Sequence, residues 1–319
     1  MSKVFEALQR LERDSGKPPS GILAEAQKVF QNGAPVRGAG AGIERESIEP
    51  ESPDLETPEA IEQSEAPEPA SRRNNSVFAF ALDRIPVETA AITPECRIIY
   101  YSDPDSPGAD RFRLLRMRLR PLWETGKLKT VLITSARAHD GKSTVSLNLA
   151  TALAEEGQKR VLVVEGDLSH PSLRRRLGLP NREGLAECVE AGRDPLSLLR
   201  RIEPLGWYLL PAGRAQGNPA ELLESPYVAD VFEAVRPYFD WIVVDTPPVI
   251  PQTDTVSLKK YADAGLLVVR ADSTPKEAVE AAIGRMGTQN LVGIVLNASV
   301  ELDRLYSDYR KAYGPNSRR

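Results

Sequence analysis

The chain predicts an α/β fold with a doubly wound parallel sheet. Three segments carry that prediction. The first is the apolar run Val131-Leu132-Ile133-Thr134, followed by Ala136-Arg137-Ala138-His139-Asp140-Gly141-Lys142-Ser143 and then by the helix-periodic Thr144-Val145-Ser146-Leu147-Asn148-Leu149-Ala150. The second is Val161-Leu162-Val163-Val164-Glu165-Gly166-Asp167. The third is Trp241-Ile242-Val243-Val244-Asp245-Thr246-Pro247-Pro248. Strands buried on both faces read as near-continuous apolar runs, and strands alternating with helices imply parallel pairing. Each run ends in acids or in a Gly-Lys-Ser turn, and open α/β sheets bind ligands beyond their C-terminal strand ends.

Further apolar runs at 207–211, 265–271 and 291–297 are read as strands. Helical periodicity places helices at 143–156, 183–191, 219–236, 252–261 and 275–287. Gly157 stands where a helix C′ glycine is expected. The folded domain is expected over 94–299.

Outside it, residues 1–30 open with an amphipathic helix whose Val4, Phe5, Leu8 and Leu11 share a face. Residues 31–93 are rich in Pro, Glu, Ala, Gly and Ser. They read as a disordered acidic linker, because that composition buries too little apolar surface to offset ordering entropy. The more apolar end, 77–93, is expected to approach the domain. Residues 300–319 form a tail carrying Tyr306, Tyr309 and Tyr313.

Composition excludes several classes. Hydrophobic residues are 41% and charged residues 27% of 319, enough for a core. A net charge of −4 gives no case for nucleic acid. Cys96 and Cys188 have no metal-site spacing and suggest no disulfide framework, as in a reducing cytoplasm. No apolar run approaches the ~18 residues of a membrane helix.

The 136–143 turn is a P-loop pattern with Ala136 at the usual opening Gly. Its function is phosphate binding. Backbone N–H groups of 139–144 and a helix N-terminus face the phosphates, Lys142 reaches the β- and γ-phosphates, and the Ser143 hydroxyl ligates Mg²⁺. Asp245, at a neighbouring strand end, is placed to hold the same ion through water. The expected cofactors are ATP and Mg²⁺. Ala138, His139, Asp140, Gly141, Lys142, Ser143 and Thr144 are expected to bind the nucleotide.

The three motifs, in this order, resemble the bacterial tyrosine autokinases of capsule and exopolysaccharide synthesis, a group of P-loop NTPases related to the partition and cell-division ATPases. Thr134-Ser135 through Lys142-Ser143-Thr144, with Asn148-Leu149-Ala150, resembles the family loop and helix. Glu165-Gly166-Asp167-Leu168-Ser169-His170-Pro171 resembles Asp-x-Asp-Leu-Arg-x-Pro, and Asp245-Thr246-Pro247-Pro248 matches unchanged. Asp110-x-x-Arg113-x-x-Arg116 resembles the helix through which these kinases form rings, and Val295-Leu296-Asn297 resembles a strand whose Asn contacts adenine.

The resemblance implies that ATP γ-phosphate passes to tyrosines 306, 309 and 313. It makes Lys142, Asp167, Asp245 and Glu165 the catalytic set, and Ser143, Asp167 and Asp245 the metal ligands. Asp167 would orient the incoming hydroxyl, with Glu165 near the ion or supporting Asp167. Asn297 would contact the base, and Asp110, Arg113 and Arg116 would join subunits. It also implies a membrane-embedded chain-length regulator in trans, so that the protein works in the cytoplasm at the inner membrane. A partition-type ATPase and an ATP-gated, non-catalytic regulator of export are the alternatives. Glu165 for Asp, Ala138-His139 for Pro-Gly and Ser169 for Arg are departures from the family pattern.

Overall fold

A computed structural model describes residues 82–250 and 254–299. The expected N-terminal helix, most of the linker and the tyrosine tail lie outside the described residues. One sheet of eight strands organises the rest: β1 (Val87–Thr89), β2 (Thr130–Ser135), β3 (Val161–Glu165), β4 (Arg200–Glu203), β5 (Trp207–Leu210), β6 (Trp241–Asp245), β7 (Ala264–Arg270) and β8 (Leu291–Asn297). Their spatial order is β1-β4-β5-β3-β6-β2-β7-β8. All neighbours pair in parallel except β4 and β5, which are antiparallel. The sheet is therefore parallel through its centre, with one reversed edge.

The strand period of two splits each central run between two cores. Leu132, Leu162, Val164, Ile242 and Val244 enter one cluster, and Val131, Ile133, Val161, Val163 and Val243 the other. Both faces of β2, β3 and β6 are covered, so none of these three strands carries an exposed face. The second cluster is closed by α1 (Ile99–Ser102), α2 (Pro107–Glu124) and α3 (Lys142–Ala154). Nearly all of α3 is buried, because it lies between the sheet and α2; its buried Ser146, Asn148 and Thr151 each donate to the carbonyl four residues back. Beyond β3 come α4 (Leu173–Arg176), α5 (Leu185–Ala191) and α6 (Pro195–Leu198). Helices α7 (Pro219–Glu224), α8 (Tyr227–Val235), α9 (Asp254–Lys259) and α10 (Lys276–Met286) complete the set. Among the described residues no helix is long and apolar enough to cross a membrane.

Three expectations are corrected, and one strand lies outside them. The predicted helix 219–236 is two helices, because Ser225-Pro226 interrupts it; Pro226 lacks the N–H that would continue the first helix. Helix α3 ends at Ala154 with Glu155 as its left-handed cap (φ 47°), and Gly157 (φ 87°) closes the next turn. Strand β4 has a charged pattern, Arg-Arg-Ile-Glu, and gave no apolar run to read. The folded body also begins before Pro94: Leu82, Ile85 and Ala90 are buried, and β1 pairs with β4.

Glu88 fixes β1. Its carboxylate, 11% exposed, accepts ion pairs from Arg174 (3.4 Å), Arg182 (3.0 Å) and Arg200 (3.6 Å). Arg174 is buried, and its Nε and Nη1 have no other partner. Removing one member of a buried pair leaves an uncompensated charge, which costs about 3–5 kcal/mol. Glu88→Ala is therefore expected to lower unfolding free energy by about 3 kcal/mol in urea titrations. Adding Arg174→Met should restore part of that loss.

Candidate nucleotide site

Three adjacent strands end together. In the register, Ile133 and Glu165 both pair with Asp245, so β6 and β3 end level with each other and β2 runs two residues further at the same edge. Beyond that edge lies a cleft of about 1200 Å³. It is lined by the loop and helix start 137–144, by Asp167, His170 and Arg175 beyond β3, and by Pro248, Arg270 and Asn297 beyond β6, β7 and β8.

Asp140 holds the loop. It is buried, and its Oδ2 accepts the Arg137 N–H at 2.9 Å. Its Oδ1 accepts the Thr274 hydroxyl at 2.7 Å, and Thr274 in turn accepts the Arg270 N–H. The Asp140 carbonyl accepts Asn297 Nδ2 at 2.9 Å. The loop is thereby tied to the ends of β7 and β8. Gly141 has φ 101° and caps α3; a Cβ there would collide with Asn297 Nδ2, so only Gly serves. His139, at φ 68°, adopts the left-handed region without being Gly.

Lys142 Nζ donates to Asp167 Oδ2 at 2.9 Å, with side chains 15% and 5% exposed. Asp167 Oδ1 accepts the His170 N–H at 3.0 Å. Asp245 is fully buried behind the loop, and the Ser146 hydroxyl donates to it at 2.8 Å. Ser143, also buried, lies close enough to this carboxylate to help hold its charge. Burial pushes the Asp245 carboxyl above its usual range; Lys142 and the two hydroxyls pull it back.

Glu165 is placed differently from its neighbours. Its Oε1 accepts the N–H groups of Ser172 and Leu173, both at 2.6 Å, and its Oε2 lies 3.3 Å from the Ala212 N–H. Burial raises its pKa, and these backbone donors oppose the rise. It is not among the residues lining the cleft. The carboxylate braces the turn that follows Asp167 and does not face the ligand space. Asn297 lines the cleft and commits one amide hydrogen to the loop backbone, which leaves its second N–H and its Oδ1 for a ligand.

The predicted subunit-contact residues sit on α2. Arg113 pairs with Asp110 at 2.7 Å, while Arg116 donates to the Ala152 carbonyl at 3.1 Å. Leu114 and Met117 of the same helix are exposed. Sequence reasoning missed Ser146, Thr274 and Arg97. Ser146 was findable, one helical turn after Ser143; Thr274 and Arg97 carry no local signal. Among the described residues no three His, Cys, Asp or Glu side chains gather as a metal centre. Cys96 and Cys188 are free and buried, and burial pushes the Cys188 thiol up to about 12.

A parallel strand, an amide-lined turn with its lysine, and a helix N-terminus beside a buried aspartate define a P-loop nucleotide-binding protein. Residues 128–308, more than half the chain, match the family model of the cellulose biosynthesis protein BcsQ. Tyrosine-protein kinase YwqD of Bacillus subtilis is 30% identical over 203 residues, which are 63% of this chain and 85% of YwqD. Tyrosine-protein kinase CpsD of Streptococcus agalactiae is 29% identical over 60% of this chain and 84% of its own length. The chain spans only 27% of the longer tyrosine-protein kinase ptk of Acinetobacter johnsonii. The chimerical protein CapA2B2 superposes with a TM-score of 0.60 at 25% identity, over 70% of this chain and 99% of that one. The kinase domain of Escherichia coli tyrosine kinase ETK shares the fold, with a TM-score of 0.61 at 24% identity over 66% and 81%. The chain belongs to this P-loop family of bacterial tyrosine-protein kinases.

Two outcomes follow from the geometry. Since burial raises the Asp245 pKa, the fold favours its neutral form; that contribution is full below the unfolded value and lost as pH rises through the folded one. Asp245→Asn should therefore raise Tm near pH 7.5, by about 2–4 °C for each kcal/mol relieved, with the gain shrinking toward pH 5. Thr274→Val should leave Tm within a few degrees of wild type. Because it loosens the Asp140 anchor, it should weaken ATP binding roughly three- to tenfold in calorimetry, about 1 kcal/mol for one hydrogen bond.

Proposed function

We propose that this protein is an ATP-dependent protein-tyrosine autokinase. In this reading it transfers the γ-phosphate to Tyr306, Tyr309 and Tyr313 and so regulates exopolysaccharide or capsule synthesis and export. The observation that carries the reading is the 2.9 Å contact between Lys142 and Asp167 at the cleft floor. It puts the phosphate-seeking cation and the candidate base at one point, where a γ-phosphate and an acceptor hydroxyl would meet.

Phosphoryl transfer needs neutralisation and in-line placement more than covalent help. Lys142 would leave Asp167 for the β- and γ-phosphates, which the amides of 139–144 also hold. Asp167 Oδ2, so released, accepts the tyrosine proton as the phenolic oxygen bonds to the γ-phosphorus. The bond to the β–γ bridging oxygen breaks, and ADP departs. The residues fit a magnesium ion: the Ser143 hydroxyl and the buried Asp245 carboxylate are hard oxygen donors close together at the foot of the loop. Ser143 and Asp245, with Asp167 at the mouth, would hold Mg²⁺, which supplies further neutralisation of phosphate charge. Glu165 acts as a positioning residue for the Asp167 turn.

Relatives named tyrosine-protein kinases support the transfer to tyrosine. The CapA2B2 chimera supports a partner protein; we assign a membrane-embedded chain-length regulator supplied in trans, which would keep this chain at the cytoplasmic face. Rings built through Asp110, Arg113 and Arg116 belong to the same proposal.

Incubated with Mg-ATP, the protein should acquire phosphotyrosine on the tail by mass spectrometry. Lys142→Met should lower that label by about 10²–10³-fold. Changing all three tail tyrosines to Phe should remove most of it. Phosphate release without protein label would replace this reading with a plain ATPase.

A further inference from the structure

The cleft carries more positive charge than one triphosphate uses. Six cations line it, namely Arg97, Arg137, Lys142, Arg175, Arg176 and Arg270, against two acids, Asp140 and Asp167. Lys142 pairs with Asp167, and Arg176 donates to the Thr144 hydroxyl at 3.2 Å. No ion pair of the described residues engages Arg97, Arg137, Arg175 or Arg270. Three of the arginines, 97, 175 and 176, belong together: Cys96 Sγ donates to the Arg176 carbonyl at 2.8 Å, and Arg175 and Arg176 follow β3, which β6 and β2 separate from β7 and β8.

The same chain holds a matching polyanion. Between residues 44 and 68 there are ten Asp or Glu and one basic residue, Arg45. Glu56, Glu59, Glu62, Glu65 and Glu68 recur at every third position, among Pro53, Pro58 and Pro67. A polyproline II helix has three residues per turn and a 3.1 Å rise, so in that form the five carboxylates lie along one edge about 9 Å apart. Thirteen residues separate Glu68 from Leu82, where the described domain begins. Extended, they reach about 45 Å, comparable with the width of a domain of this size.

We propose that the acidic segment 44–68 docks on the arginine-lined side of its own cleft and competes with nucleotide entry. The proposal rests on the nucleotide reading of this cleft and adds an occupant built into the chain. A tethered segment acts at an effective concentration in the millimolar range, enough for weak exposed ion pairs to matter. Its grip must fall with salt, since at about 0.5 M the Debye length is near 4 Å.

The test uses the full chain with E56Q, E59Q, E62Q, E65Q and E68Q together. A fluorescein-labelled peptide of residues 44–68 is titrated at low salt into this form, into wild type, and into the five-Gln form also carrying R97Q and R175Q. Anisotropy should show about tenfold tighter binding to the five-Gln form than to wild type, whose own segment competes. Most of that affinity should vanish with R97Q and R175Q, and the differences should close to within twofold at about 0.5 M salt. Equal binding to all three forms, or binding to none, overturns the proposal. So does a gap that widens with protein concentration, which would assign the segment to a second copy. ATP affinity is measured on the same samples. It should be tighter in the five-Gln form than in wild type; absence of ATP uptake in every form rejects the nucleotide reading, while the peptide titration still decides the docking.

Discussion

The site depends on the register of three strands. β2, β6 and β3 pair so that Ile133, Asp245 and Glu165 stand level at one edge. That alignment places the P-loop, Asp167 and the buried Asp245 within reach of each other. A slip of one residue would turn every side chain of the slipped strand to the opposite core. The two clusters, filled alternately by Leu132 and Val131 or by Val244 and Val243, hold the register in place. Catalytic geometry is here a consequence of apolar packing on both faces of the sheet.

The parts of the fold legible in sequence were those written as long apolar runs. β3 and β6 could be read because burial on both faces leaves no polar interruption. β4 could not, since an antiparallel strand beside the edge tolerates Arg200, Arg201 and Glu203. β1 was hidden for a related reason: three residues, stabilised largely by one carboxylate and three arginines, give no hydrophobic signal. Of the site, the residues in contiguous motifs were legible. Thr274 and Arg97 were not, because Thr274 reaches the loop, and Arg97 the cleft, only through tertiary folding. Their roles follow from distances between elements, which spacing along the chain does not encode.

The departures from the family pattern take on physical meaning in the structure. The additional methylene of Glu165 lets its carboxylate span two amides of the α4 entry and approach Ala212 across the sheet edge. It stabilises the turn that presents Asp167. His139 occupies a left-handed backbone site that ordinarily favours Gly. The strain is of order 1 kcal/mol and is held by the Asp140 anchors on either side.

One consequence of the Lys142–Asp167 pair concerns discrimination. Any anion entering the loop must offer the ammonium more than a carboxylate already gives it. A singly charged guest offers little advantage over Asp167, whereas a chain of phosphates engages the ammonium and the loop amides at once. On the proposed nucleotide reading the pair would thus act as a threshold on charge density, and the length of the phosphate chain, not affinity for the base alone, would set what is admitted.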